Sequence, residues 1–158
     1  MTWIRTVWFR WFDRELDRAV QLPDREAMEP GDWNRLIGDT GERLAGKQLH
    51  REGGKVIYRN FRAPKGGEVD IVYRDGETLV FAEVKTRTSL EFGRPGEAVD
   101  REKERLIIRG ANAWLRELNF PEVLFRFDVV EVILIDGNPP EVKINENSFT
   151  TPQMGLGM

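Results

Sequence analysis

Residues 66–87 read GGEVDIVYRDGETLVFAEVKTR. Two runs rich in Val, Ile, Tyr, Leu and Phe flank Asp75-Gly76, a dipeptide that marks a two-residue hairpin turn. The segment predicts two adjacent antiparallel strands. It also constrains them, because Asp70, Glu83 and Lys85 stand inside otherwise apolar sequence. Charge in such a strand is costly unless it is paired or liganded.

With Asp75 and Gly76 at the tip of a type I′ turn, Arg74 faces Glu77, Asp70 faces Phe81 and Glu68 faces Glu83. Side chains alternate, so Asp70, Glu83 and Lys85 share one face, and Val69, Ile71, Tyr73, Val80, Ala82 and Val84 form the other. Asp70 and Glu83 become diagonal neighbours about 7–8 Å apart at the backbone. Converging carboxylates need a proton or a cation between them. An oxygen-only donor set favours Mg²⁺ or Mn²⁺. A plain salt bridge from Lys85 to either acid is the competing explanation.

Composition narrows the chemistry. The chain has no cysteine and one histidine. Disulfides, thiolate zinc sites, thiol nucleophiles and any centre needing two imidazoles are therefore excluded. His50 closes a helix, where a cation suits the dipole. Net charge is −3, from 24 basic and 27 acidic residues. No global basic field advertises a nucleic-acid binder, although a local patch is allowed. No apolar run approaches the ~20 residues of a membrane span. The amino terminus, broken by Arg5 and Arg10, is a poor signal peptide. A cytoplasmic protein is expected.

Along the chain, Ile4, Trp8, Trp11 or Phe12, Leu16 and Val20 repeat at helical spacing. They predict an amphipathic amino-terminal helix over 3–20 that docks on the domain, a partner or a membrane surface. A linker with Pro23, Pro30 and Gly31 follows, so residues 1–33 read as one unit. Residues 34–147 read as the domain: a helix over 34–50, a strand over 55–62, the hairpin, a helix over 96–118, a strand over 123–135 and a short strand over 141–145. Residues 148–158 read as a mobile tail. A meander followed by a crossover helix gives a mixed sheet, with the returning strand parallel to the third.

The order of motifs carries a resemblance. The run GERLAGKQL, YRNFR, the hairpin with Asp70 and Glu83-Val84-Lys85, FGRPGEAV, then WL and FRFDVV resembles the bacterial YraN family over roughly residues 38–131. That family is similar to archaeal Holliday junction resolvases within the PD-(D/E)XK nuclease superfamily. The resemblance implies an α/β, restriction-endonuclease-like mixed sheet flanked by helices. It implies that Asp70 and Glu83 hold a divalent metal, with the Val84 carbonyl as a further ligand and Lys85 as the catalytic lysine. It also implies that Glu42 joins the acidic cluster. Glu42 shares a helix face with Ala45, Gly46 and Leu49, although a surface Glu near a helix start would look the same.

Nucleic acid would arrive along cations. Arg62 and Lys65 precede the first acidic strand, and Arg87 follows Lys85 at the same parity. Lys103 extends by one turn the apolar stripe of Leu106, Ile107, Ala111, Trp114 and Leu118. Arg101, Arg105, Arg109 and Arg116 form a separate ridge that reads as a solvated face. Glu68 and Asp128 stand behind the site; Asp128 alternates inward and reads as an anchor for a nearby arginine or lysine, or as a supporting group. Three functions stay open: a metal-dependent endonuclease acting on structured or branched DNA, a nucleic-acid-binding module with a silent site, and an interaction protein working through its amino-terminal helix. DNA is favoured over RNA, no small-molecule cofactor is expected, and a homodimer is left open by analogy with resolvases.

Overall fold

The computed structural model describes residues 14–91 and 100–151. Most of the amino-terminal helix expected over 3–20, the first turn of the helix expected over 96–118 and the tail from 152 lie outside them. Helix α1 spans Pro30–Arg51 and α2 Arg101–Glu117. Strands β1 (Lys55–Arg62), β2 (Glu68–Asp75), β3 (Thr78–Arg87), β4 (Leu124–Ile133) and β5 (Glu141–Phe149) form one sheet in sequence order. Only β3 and β4 pair in parallel; their ladder runs in register from Thr78↔Leu124 to Arg87↔Ile133. This is the expected mixed α/β sheet, with a helix on each side.

The alternation of apolar residues decides which helix covers which face. Leu44, Ala45 and Leu49 of α1 pack on Ile71, Tyr73, Val80, Ala82 and Val130. Ile107, Ala111 and Leu115 of α2 pack on Val72, Phe81 and Phe127 from the other side. Glycine brings α2 close to the sheet. A Cβ added at Gly110 would stand 2.9 Å from Val69 Cγ2 and 3.0 Å from the Glu68 backbone.

Several boundaries differ from expectation. α1 starts at Pro30, inside the stretch read as linker. Proline at the first helical position loses only an N–H that the helix would not use. Residues 14–18 form a turn and bend rather than the end of a helix. They are docked all the same, because Leu16 is buried against α1. The extended segment after them is tied to the β4–β5 turn by Val20 N–H to the Asn138 carbonyl (2.8 Å) and Gly137 N–H to the Val20 carbonyl (2.9 Å). The buried stripe of α2 is Ile107, Gly110, Ala111 and Leu115, while Leu118 is exposed just past the helix. β5 continues beyond 145 to Phe149, whose ring stacks on Phe127 at 4.9 Å. Among the described residues, no helix is long and apolar enough to cross a membrane.

Candidate active site

The hairpin carries the three charges to a fork. β2 and β3 pair from Asp75↔Thr78 to Ile71↔Ala82 and then separate. β2 continues alongside β1 through Phe61↔Val69 to Arg62↔Glu68. Asp70 stands at the first position of the fork, and its Oδ2 accepts the Val84 N–H at 2.9 Å. A side chain thus takes a main-chain donor that the ladder leaves unused.

The register corrects the expectation by two residues. The loop is Gly76-Glu77, with Gly76 at φ 58°, rather than Asp75-Gly76. Glycine with positive φ at the first loop position suits a type II′ turn. A shift of two keeps parity, so Asp70, Glu83 and Lys85 still lie together. Val69, expected on the face of Ile71 and Tyr73, packs instead with the cluster under α2, where β2 has left β3. Continuing the register sets Asp70 opposite Glu83 instead of diagonal to it.

Glu83 is 3% exposed. Its Oε1 lies 3.4 Å from both Lys85 Nζ and Lys103 Nζ. Its Oε2 is buried with no hydrogen-bond donor. Burial first, and then the Asp70 carboxylate beside it, push the Glu83 carboxyl up to about 8. The Asp70–Glu83 contact joins two acceptors, which only a shared proton or a cation makes favourable.

Two further acids surround the pair. Glu68 bonds to both Lys103 and Arg62. The Lys103 hydrogen bond, outweighing burial, holds its carboxyl below the usual range. Burial opposes the Lys103 charge, but the Glu68 bond and the field of Glu83 overcome it, so the ammonium is held above its ordinary range. Glu42, half-buried on α1, has its carboxyl raised by burial and then by Asp70, with a hydrogen bond from Asn60 acting the other way. Glu42 therefore feels the fork without closing it. Among the described residues, no three His, Cys, Asp or Glu side chains gather as a metal-holding group.

The remaining candidates divide. Lys103 reaches the pair, whereas Arg62 reaches only Glu68. Lys65 is exposed in the β1–β2 turn, and Arg87 is half-buried with its carbonyl accepting Leu134 N–H at 2.8 Å. Asp128 does not support the fork. Its oxygens bond to Tyr73 Oη (2.6 Å), Arg126 Nε (2.9 Å) and the Asn147 N–H (3.0 Å). It is the arginine-paired anchor, set toward the turn end of the hairpin.

Sequence reasoning passed over two residues. Asn60, in left-handed conformation at φ 53°, stands on β1 between the residues that pair with Ile71 and Val69. An asparagine inside a strand pattern is a signal, since asparagine tolerates that conformation. Glu131 is 3% exposed and is the β4 partner of Lys85. The cue that singled out Asp70, a charge in an apolar run, applies equally to VVEVI.

The profile described as "Uncharacterised protein family UPF0102" matches residues 41–132. The chain is 42% identical to a UPF0102 protein of Trichlorobacter lovleyi over 120 residues, 75% of this chain and 94% of that one. It is 55% identical to one of Beutenbergia cavernae over 97 residues, 61% and 81% of the two chains. It is 44% identical to one of Geobacter sulfurreducens over 116 residues, 73% and 90% respectively. Every candidate site residue falls within 41–132.

Proposed function

Since the chain belongs to the UPF0102 family, also known as YraN, we propose that it is a metal-dependent nuclease hydrolysing phosphodiester bonds in structured or branched DNA. The observation that carries this reading is the Glu83 carboxylate, buried against Asp70 with an oxygen that meets no donor. The donor set fits a hard divalent ion of the Mg²⁺ or Mn²⁺ type, since every group at the fork offers oxygen. Asp70 and Glu83 would hold it, with Glu42 at its margin. Val84 presents its N–H to Asp70, and strand geometry sends the carbonyl of the same residue toward the same edge. When bound, such an ion supplies Lewis acidity at the phosphoryl group and acidifies water.

The protein's own groups do the rest. The Val84 N–H fixes the Asp70 carboxylate, so the acid need not reorganise during reaction. Lys85 Nζ, 3.4 Å from Glu83 Oε1, orients the attacking water and stabilises charge on the pentacoordinate phosphorus. Lys103 and Arg62, both bonded to Glu68, present cations to the flanking phosphates. Water adds to phosphorus, the bond to the leaving ester oxygen breaks, and that oxygen takes up a proton.

The test is a panel of junctions, flaps and single strands incubated with the full chain in Mn²⁺ or in EDTA. Product is expected in Mn²⁺ alone. Asp70→Asn and Glu83→Gln should each slow it by about a hundredfold or more while melting like the parent. Undiminished cleavage by both variants refutes the assignment. One observation favours a second reading, a nucleic-acid-binding module with a silent site: Lys85 and Lys103 already neutralise Glu83. That reading predicts binding that survives EDTA and no product on any substrate.

A further inference from the structure

Past the Arg62–Glu68–Lys103 cluster, the β1–β2 turn runs against α2. Gly67 lies so near that an added Cβ would stand 2.6 Å from Gly110 N and 2.8 Å from Arg109 Cβ. Beyond this contact a groove of about 440 Å³ opens between turn and helix; its polar lining is Lys65, Arg109, Asn112, Arg116 and Glu117. The cations outnumber the acid three to one.

Arg35, Arg43, Arg51, Arg62 and Arg126 each have a carboxylate partner. Lys65, Arg109 and Arg116 have no ion-pair partner among the described residues, in a chain whose acids outnumber its bases. What sets these three cations apart is that they line one groove; Lys55, Arg74, Arg101, Arg105 and Lys143 also lack a carboxylate partner among the described residues but do not line it. Arg101, Arg105 and Arg109 also succeed one another at four-residue spacing, where like charges repel, with Glu102 and Glu104 offsetting the first two.

The groove also has a direction. Lys103 lies 3.4 Å from Glu83 Oε1. At 1.5 Å per residue, Arg109 is about 9 Å and Arg116 about 20 Å farther along the helix axis. At 3.4 Å per nucleotide, that distance corresponds to about six nucleotides.

We infer that the groove between the β1–β2 turn and α2 is a track for the phosphodiester backbone of a nucleic-acid strand, gripped by Lys65, Arg109 and Arg116 and leading away from the Asp70–Glu83 fork. Its direction, toward a scissile phosphate, rests on the nuclease reading; its affinity for phosphates does not. The ridge read from sequence as a solvated face thus divides, with its second half lining the groove.

Fluorescence anisotropy of the full chain in EDTA tests this, using a labelled single strand of about 20 nucleotides and the matching duplex over a salt series. Lys65→Gln/Arg109→Gln/Arg116→Gln should bind at least tenfold more weakly. Its plot of log affinity against log salt should be shallower by about 2–3 units, since each of the three lost contacts removes about 0.7–0.9. The charge reversal Lys65→Glu/Arg109→Glu/Arg116→Glu should bind more weakly still, and Arg18→Glu, away from the groove, should bind like the parent. Parental affinity and slope in the neutral triple variant would overturn the inference, as would binding to anionic vesicles with none to either oligonucleotide. Groove-dependent binding with no product in Mn²⁺ upholds the track and defeats the nuclease reading. Metal-dependent product with groove-independent binding does the reverse.

Discussion

At Glu83 the fold sets burial against charge, and the balance can be read by titration. Its folded-state carboxyl is raised to about 8 by burial and by Asp70, against an unfolded value near 4.3. Between these values the folded chain binds more protons than the unfolded one, so stability falls as pH rises. The contribution is fully present below about pH 4 and is lost by the time pH passes 8. It amounts to a few kcal/mol. In EDTA, Glu83→Gln should therefore flatten the decline in urea-unfolding free energy between pH 5 and 8.5 and leave the variant more stable than the parent at the alkaline end. An equal decline in both proteins would show that Glu83 is ionised throughout. The residue pair itself was legible in the sequence, because acids in an alternating apolar strand announce their cost. The register was less so. Reading the turn one residue early displaced it by two; parity kept the three charges together, while Val69 moved to the α2 side. Asn60 and Glu131 carried the same kind of cue in their own runs, and the place of Glu131 opposite Lys85 shows only in the register.

At the scale of elements, the β1–β2 turn meets the backbone of α2 closely, and two glycines separate the components of that join. Gly53 has φ 93° with nothing within 4 Å of an added Cβ; Gly67 has φ 116° and meets Gly110 N at 2.6 Å. Gly53→Ala should cost only the left-handed backbone, about 1–2 kcal/mol. Gly67→Ala adds the push against α2 and should cost about 3 kcal/mol or more. Equal midpoints in urea would mean that the turn and helix are not in firm contact. Only Gly67→Ala should also slow cleavage, because it displaces the helix that carries Lys103. Strand β1 could be delimited from sequence to the residue and β4 to within two, since turn glycines and prolines bound them. The start of α1 could not, because Pro30-Gly31 reads equally as a break or as the first turn of a helix. The extension of β5 was hidden too: beyond 145 the ladder to β4 is interrupted and resumes only at Phe149, with the Asn147 N–H held by the Asp128 side chain instead.

For the molecule as a whole, cohesion between the hairpin and the carboxy-terminal strands passes through Asp128, which is fully buried. It links Tyr73 of β2, Arg126 of its own strand and the Asn147 N–H of β5; Arg126 reaches on to Asp75 at 2.9 Å. Removing one partner of a buried ion pair costs about 3–5 kcal/mol. Asp128→Ala should lower the melting temperature by roughly 10 °C and reduce cleavage only in proportion to the folded fraction. A stable Asp128→Ala protein devoid of activity would instead place this acid in the site. The sequence conveyed the mixed topology, since a meander, a helix and one returning strand leave few arrangements, but it could not tell an anchoring acid from a catalytic one. The gap between β2 and β3 carries one more consequence. The hydrogen on the Val84 nitrogen is guarded by a carboxylate instead of a strand neighbour, so its rate of replacement by deuterium follows the state of Asp70. If a cation binds at the fork, that exchange rate should change on adding Mg²⁺ or Mn²⁺ before any substrate is supplied.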